Sequence, residues 1–333
     1  MEIGNITVDK LVKKRGFIET SGYSSGLKVQ IPMLVASGNS NSPLLVVIAN
    51  QHGREINGIE VIRRIFEELN PKKMKGTVVF IPIANPLAVR LHQQDFPSEV
   101  GRWVKNVPTI NMARVWPGKA NGNIIERMVY VIFNQVIKKS DCVIDLHGWS
   151  DMTIPLVMSD KRCKKLAKVF GHRIFHLRDS KRREKSHFAT ICSNNEIPSL
   201  TVELPPQNRL SEESIGIGLR GIKNIMCHMG MIKGEIELPE EQFYTTAETK
   251  GHILRAEHEG LFVPLKEKGE LVKRGDRLGI ICSLETLDVI QKINSPIDGI
   301  LFNKMIMRFE ACPESNIVSE GENLCMVKKI YRA

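Results

Sequence analysis

The sequence has no run of about eighteen apolar residues, so nothing in it reads as a membrane-spanning helix, and no membrane partner is expected. The opening stretch M-E-I-G-N-I-T-V-D-K lacks the apolar core of a secretory signal. No C-x-x-C pair occurs. The seven cysteines are odd in number and scattered, which argues against a disulfide framework or a cysteine zinc site. Reduced thiols and a cytoplasmic location are the expectation. The net charge is +10, yet no nucleic-acid motif with interleaved aromatics accompanies it. Much of the charge lies between Lys161 and Lys185. That stretch reads as a solvated helix face followed by a loop, so no nucleic-acid partner is expected.

What is present is an ordinary globular composition, 42% apolar and 25% charged, in a chain of 333 residues. That length suits two domains. The first part alternates two kinds of segment. Pro43–Asn50 (P-L-L-V-V-I-A-N), Gly76–Ile83 (G-T-V-V-F-I-P-I), Asp141–Leu146 (D-C-V-I-D-L) and Ile197–Glu203 are short apolar runs suited to strands covered on both faces. Between them, Glu55–Leu69, Ile124–Lys139 and Ser211–Met229 carry helical periodicity. Strands alternating with helices predict a three-layer α/β/α domain over residues 1–238, with a mixed, largely parallel sheet. Near residue 235 the pattern changes. After the polar, proline-containing segment E-I-E-L-P-E-E come short β-prone stretches separated by glycine, predicting a small all-β barrel or sandwich over residues 239–333.

Three motifs carry the candidate chemistry. Asn50-Gln51-His52-Gly53-Arg54-Glu55 follows the first apolar strand and opens the first helix. A His and a Glu three apart at a helix start can turn an imidazole nitrogen and a carboxylate oxygen toward one point, and both are zinc ligands. The carboxyl end of a strand in an open sheet is where ligand sites form. Asp145-Leu146-His147-Gly148 ends another strand of the same kind. His147 would project from the same sheet edge as His52, and Asp145, two residues earlier, lies on its face. A carboxylate there can accept the free N–H of a ligating histidine and fix its tautomer. Thr201-Val202-Glu203-Leu204-Pro205 ends a further strand. Three protein ligands, His52, Glu55 and His147, leave zinc one open position for water, and an unligated Glu203 can then serve as the general base.

This set resembles the succinylglutamate desuccinylase/aspartoacylase family of the zinc carboxypeptidase superfamily, over roughly residues 30–235. The resemblance implies a mixed eight-stranded sheet, one Zn2+ per chain, and hydrolysis of a small anionic N-acyl amino acid or related amide. It also makes Asp145 the partner of a metal-bound histidine. Relatives typically carry an Asn-Arg pair that binds the substrate carboxylate. In Asn111-Met112-Ala113-Arg114-Val115-Trp116-Pro117-Gly118, Arg114 matches and Ala113 replaces the asparagine. A guanidinium can clamp a carboxylate with two parallel bonds. Relatives also often place an arginine near the reacting carbonyl, where this chain has Gln93-Gln94, with Arg54 or Arg90 as stand-ins. Arg114, Arg54 and Asn111 are therefore the substrate-binding candidates. Two further readings stay open: a metallo-carboxypeptidase or amidase acting on a larger substrate, and a zinc-binding scaffold without turnover.

The C-terminal segment resembles a biotinyl/lipoyl-type β domain through Gly269–Ile280 and Ser295–Ile300. Such carriers need a lysine at a hairpin tip, and Glu285-Thr286-Leu287-Asp288-Val289 has none. A structural role is expected instead, as a cover for the active-site mouth or a contact in a homo-oligomer. Intact-mass measurement of the purified chain should show no biotin or lipoate adduct, and either adduct would contradict this reading.

Overall fold

The computed structural model describes residues 2–20, 28–97, 109–179, 185–304 and 316–333. The chain divides into two compact units: residues 1–149 with 155–242, and residues 150–154 with 243–333. Among the described residues, no helix is long and apolar enough to cross a membrane. The six described cysteines are free.

In the first unit, leaving aside two-residue pairings, the elements are β1 (Val12–Thr20), β2 (Val29–Ser37), β3 (Leu44–Ala49), α1 (Asn57–Glu68), β4 (Thr77–Ile81), α2 (Pro86–Arg90), α3 (Ile124–Gln135), β5 (Cys142–His147), β6 (Leu156–Asp160), α4 (Lys164–Phe170), β7 (Ile174–Arg178), α5 (Phe188–Asn194), β8 (Ser199–Glu203) and α6 (Glu212–His228). The strands lie in the order β7-β6-β8-β5-β3-β4-β2-β1. The central four, β8, β5, β3 and β4, run parallel. Antiparallel pairing enters at β6 on one side and at β2 and β1 on the other. This is the mixed sheet of an α/β fold.

Every residue of β3, β4 and β5 is buried, which is why their sequences are continuous apolar runs without alternation. On one face, Val46, Ile48, Val79 and Ile81 pack with Ile125, Met128, Val129 and Ile132 of α3. On the other face α1 lies so close that a Cβ on Gly58 would sit 2.9 Å from the Cβ atoms of both Ala49 and Leu146. Only glycine permits that approach, and it brings the start of α1 down onto the ends of β3 and β5.

Several elements differ from the sequence reading. The first helix begins at Asn57 rather than Glu55, because the Asn50 amide holds the carbonyls of His52 (2.9 Å) and Glu55 (3.3 Å) in a turn. The helix at Ile124 stops at Gln135, and Ile137–Lys139 forms a separate 3₁₀ turn after Val136 leaves helical geometry. The basic stretch from Lys161 does carry a helix with Lys165 and Lys168 exposed, but a strand follows it where a loop was expected. It holds a 3₁₀ turn, the two-turn α4 and strand β7, whose Ile174, Phe175 and Leu177 are buried. The end of that stretch, residues 180–184, lies outside the described residues. Strands β1 and β2 were not apparent in the sequence. β1 (V-K-K-R-G-F-I-E-T) is the sheet's edge, where lysine and arginine discourage pairing with another chain.

The second unit contains β9 (Phe243–Thr246), β10 (Gly251–Arg255), β11 (Gly260–Pro264), β12 (Leu271–Val272), β13 (Arg277–Cys282), β14 (Val289–Asn294), β15 (Gly299–Lys304), β16 (Ile317–Val318), β17 (Asn323–Lys328) and β18 (Tyr331–Arg332). Two antiparallel four-stranded sheets, β10-β17-β15-β12 and β14-β13-β11-β16, enclose Phe262, Leu278, Ile281, Ile293, Leu301, Leu324 and Val327. The turn between β13 and β14 is closed by Ser283 N–H to the Asp288 carbonyl (2.9 Å) and carries the exposed Leu287 at its tip. Ser150–Ile154 belongs to this unit: Thr153 bridges to Asn303, Ile154 N–H donates to the Phe302 carbonyl (3.3 Å), and the Lys268 ammonium donates to the Asp151 and Thr153 carbonyls.

The segment read as a linker is tied down within the first unit. Asn224 of α6 donates to the Glu237 carbonyl (2.8 Å) and accepts from its N–H (2.9 Å), and Gln242 donates to the carbonyls of Lys168 (2.9 Å) and His172 (3.1 Å). His172 itself lies 2.9 Å, through Nε2, from the Pro155 carbonyl. Burial pushes its pKa down to about 4; the Pro155 carbonyl opposes this, and Arg220 and Arg173 add to it. The unfolded chain, with an ordinary histidine, therefore binds the extra proton first as pH falls. Stability should decline between about pH 6.5 and pH 4, by on the order of 2 kcal/mol from this group. His172→Gln keeps a donor for Pro155 but cannot titrate. Its urea midpoint should fall less than wild type between pH 6.5 and 4.5, and equal slopes would remove His172 as the cause.

Candidate metal centre and active site

The site forms where the parallel strands end. β3 closes at Asn50, whose φ of 60° turns the chain sharply into Gln51-His52-Gly53. Asparagine tolerates that left-handed geometry better than most residues. Gly53 then passes against α2 and the segment after it: a Cβ there would meet the Gln93 carbonyl oxygen at 2.4 Å and the Ala88 backbone at 2.5 Å. The turn closes with Glu55 N–H donating to the His52 carbonyl (3.2 Å). His52 and Glu55 thus converge through one tight turn before the helix, and not from one helix face. His147 is the last residue of β5 and Glu203 the last of β8. They are direct register partners across a parallel pair. Asn57 at the start of α1 holds the chain beyond Glu203, donating to the carbonyls of Leu204 (3.0 Å) and Pro206 (2.9 Å) and accepting from Ser211 N–H (2.8 Å).

These constraints bring one ligand atom each from His52, Glu55 and His147 within 4.8 Å of one another. The two imidazole rings are 5.3 Å apart, centroid to centroid. Each ring is held from behind by a carboxylate. Asp95 Oδ1 lies 2.9 Å from His52 Nδ1, which leaves Nε2 as that ring's remaining nitrogen. Asp145 Oδ2 lies 2.9 Å from His147 Nε2, leaving Nδ1. His147 Nδ1 is 3.0 Å from Glu55 Oε2. That oxygen is nevertheless buried without a hydrogen bond, while Oε1 accepts from Gln94 (3.2 Å). Two oriented imidazoles and a buried carboxylate oxygen lacking a hydrogen-bond partner are a donor set for a divalent ion.

The electrostatics point the same way. Burial disfavours charge on His147, but Asp145 and Glu55 outweigh it and hold its pKa well above the ordinary value. Burial pushes Glu203 up to about 7. His147 opposes that rise, Glu55 and Asp145 add to it, and Arg178 opposes it. Asp95, Glu55, Asp145 and Glu203 crowd negative charge into a poorly solvated corner that favours a cation.

The substrate-binding candidates are placed differently. Arg54 is half-buried, and its Nε donates to the His92 carbonyl (3.4 Å). Arg114 is exposed on the 3₁₀ turn Met112–Arg114. Asn111 leads into that turn, with its Oδ1 buried and lacking a hydrogen-bond partner among the described residues. Three residues that the sequence did not single out as supports of the site have contacts there: Asp95 behind His52, Gln94 on Glu55, and Gln51 on Asp145 (2.9 Å). Gln94 stands where an arginine was sought, and it braces a ligand candidate. Asp95 and Gln51 adjoin residues that were read, but no spacing rule marks a group that reaches its partner across 43 or 94 positions.

Residues 41–229 match the succinylglutamate desuccinylase/aspartoacylase catalytic domain. The chain belongs to that family. The N-alpha-acetyl-L-2,4-diaminobutyric acid deacetylase of Halomonas elongata is 24% identical over 321 residues, spanning 92% of this chain and 87% of that protein. A crystal structure of a succinylglutamate desuccinylase/aspartoacylase from Rhodobacter sphaeroides superposes with a TM-score of 0.73 at 23% identity, covering 98% of both chains. The product-bound ectoine utilization protein EutE (DoeB) from Ruegeria pomeroyi gives 0.75 at 20% identity, again over 98% of both. At those identities the structural likeness speaks to the fold. The family is one of deacylases acting on N-acyl amino acids, which sets the class of chemistry as amide hydrolysis.

Removing Asp95 should loosen His52 without deleting any of the three candidate ligands. Asp95→Ala is expected to weaken zinc binding about 10- to 100-fold, with Asp95→Asn intermediate, measured by competition with a chromophoric chelator. Wild-type affinity in Asp95→Ala would show that this contact does not orient a ligand.

Proposed function

We propose that this family member is a zinc-dependent deacylase of a small anionic N-acyl amino acid, with His52, Glu55 and His147 holding one Zn2+ and Glu203 acting as general base. The observation that carries this reading is the convergence of those three donors within 4.8 Å, each imidazole backed by its own carboxylate. Bound there, zinc would polarise the amide carbonyl and lower the pKa of water at neutral pH.

The chain's own residues do the rest. Glu203, next to His147 across the strand pair, takes the proton of the attacking water and passes it to the departing amine nitrogen. A carboxyl held up near 7 by burial suits both halves of that transfer. Asp145 and Asp95 keep a lone pair of each imidazole available at the metal. Arg114 and Asn111, on one turn, are the candidates to grip the substrate's carboxylate, and Arg54, beside Glu55 in the chain, is the cationic candidate for the scissile carbonyl. The Halomonas elongata relative, named for deacetylating an acetylated diamino acid, supports a small acylated amino acid over a long peptide.

Metal analysis of the purified chain should find about one zinc, and activity should appear on a panel of N-acetyl and N-succinyl amino acids ahead of blocked dipeptides. His52→Ala and His147→Ala should lose stoichiometric zinc. Glu203→Gln should keep it while kcat falls by roughly 10²–10⁴. Near-normal kcat in Glu203→Gln would remove that residue from the mechanism.

A further inference from the structure

A buried hydrogen-bonded chain runs into the metal centre from the turn that bears Asn111 and Arg114. Trp116 is 1% exposed, its indole packed on Phe188 with ring centroids 4.6 Å apart. Its Nε1–H donates to Gln51 Oε1 (2.8 Å). Gln51 is fully buried, and its Nε2 donates to Asp145 Oδ1 (2.9 Å). The other oxygen of Asp145, Oδ2, sits 2.9 Å from His147 Nε2.

The direction of every bond in this chain is set at its outer end. An indole N–H can only donate, so Gln51 must turn its oxygen toward Trp116 and its NH2 toward Asp145. The Asp145 carboxylate can only accept, so His147 Nε2 must carry the hydrogen. Nδ1, 3.0 Å from Glu55, is then the nitrogen left to offer its lone pair to a cation. Without the indole donor, the Gln51 amide is free to reverse and present its oxygen to a carboxylate. Asp145 would lose a donor and be pushed from its seat.

We infer that Trp116 and Gln51 are positioning residues that fix the orientation of Asp145 and, through it, the tautomer of His147, tying the proposed substrate turn to the proposed metal ligand. The inference rests on the zinc reading above, because it acts through His147.

A double-mutant cycle tests it, with Trp116→Phe, Gln51→Met and the pair. Zinc affinity is read by chelator competition, and thermal midpoints of the zinc-free proteins are read alongside. Gln51→Met should weaken zinc about 10- to 100-fold and Trp116→Phe about 10-fold. The pair should be no weaker than Gln51→Met alone, because both act along one chain. Wild-type affinity in either single variant overturns the inference. So does a loss from Trp116→Phe that persists undiminished in the Gln51→Met background, since Trp116 would then act through its packing on Phe188. Should Trp116→Phe fail to fold, as its zinc-free midpoint would reveal, Gln51→Met decides alone. His147→Ala separates the two levels: retained zinc there sinks the metal reading, whereas lost zinc beside unchanged affinity in Gln51→Met sinks only this inference.

Discussion

The register of three parallel strands governs this site. Ile48 pairs with Asp145, Thr201 with Asp145 and Glu203 with His147, so β3, β5 and β8 end level with one another. Side chains alternate along a strand, and a slip of one residue between β5 and β8 would send Glu203 to the opposite face from His147. What holds the register is the apolar content of the strands. Each is buried on both sides between helices, and a shift would drive Asp145 or Thr201 into positions now filled by Val143, Ile144 or Leu200.

That arrangement carries a cost that the same residues offset. Four carboxylates and two imidazoles collect where water is scarce, and an isolated buried charge is strongly disfavoured. The structure answers with donors: Gln51 on Asp145, Gln94 on Glu55, and both imidazoles on acids. One oxygen of Glu55 lacks a hydrogen bond. With Asn50 Oδ1 and Gln94 Oε1 also buried without a hydrogen bond, this negatively charged corner is incompletely satisfied by the protein alone, as suits a candidate cation site.

Much of this was legible in the sequence, for a physical reason. Strands covered on both faces leave unbroken apolar runs, and a polar residue at the end of such a run must sit at a sheet edge; His52, His147 and Glu203 were found that way. Periodicity starts the following helix two residues early, because it cannot see that Asn50 holds the His52 and Glu55 carbonyls in a turn. β1 is silent in the sequence because an edge strand rich in lysine and arginine looks like any polar segment, and β7 lies inside a basic stretch. Asp95, Gln51 and Trp116 leave no periodic signature. Their roles arise from contacts between segments far apart in sequence, which only the folded chain displays.

The five residues Ser150–Ile154 have a consequence for how this polypeptide can be divided. They leave the α/β unit three positions after His147 and supply a bridge within the β unit before the chain returns at Pro155. The C-terminal unit is thus not a cassette appended after a finished enzyme, since part of it is spelled out in the middle of the gene. Cutting at residue 242 would strand Thr153 and Ile154 without Asn303 and Phe302, and the stranded segment would begin three positions after His147 in the chain. Exchanging the β unit for another would therefore mean rewriting the sequence just after a proposed ligand as well.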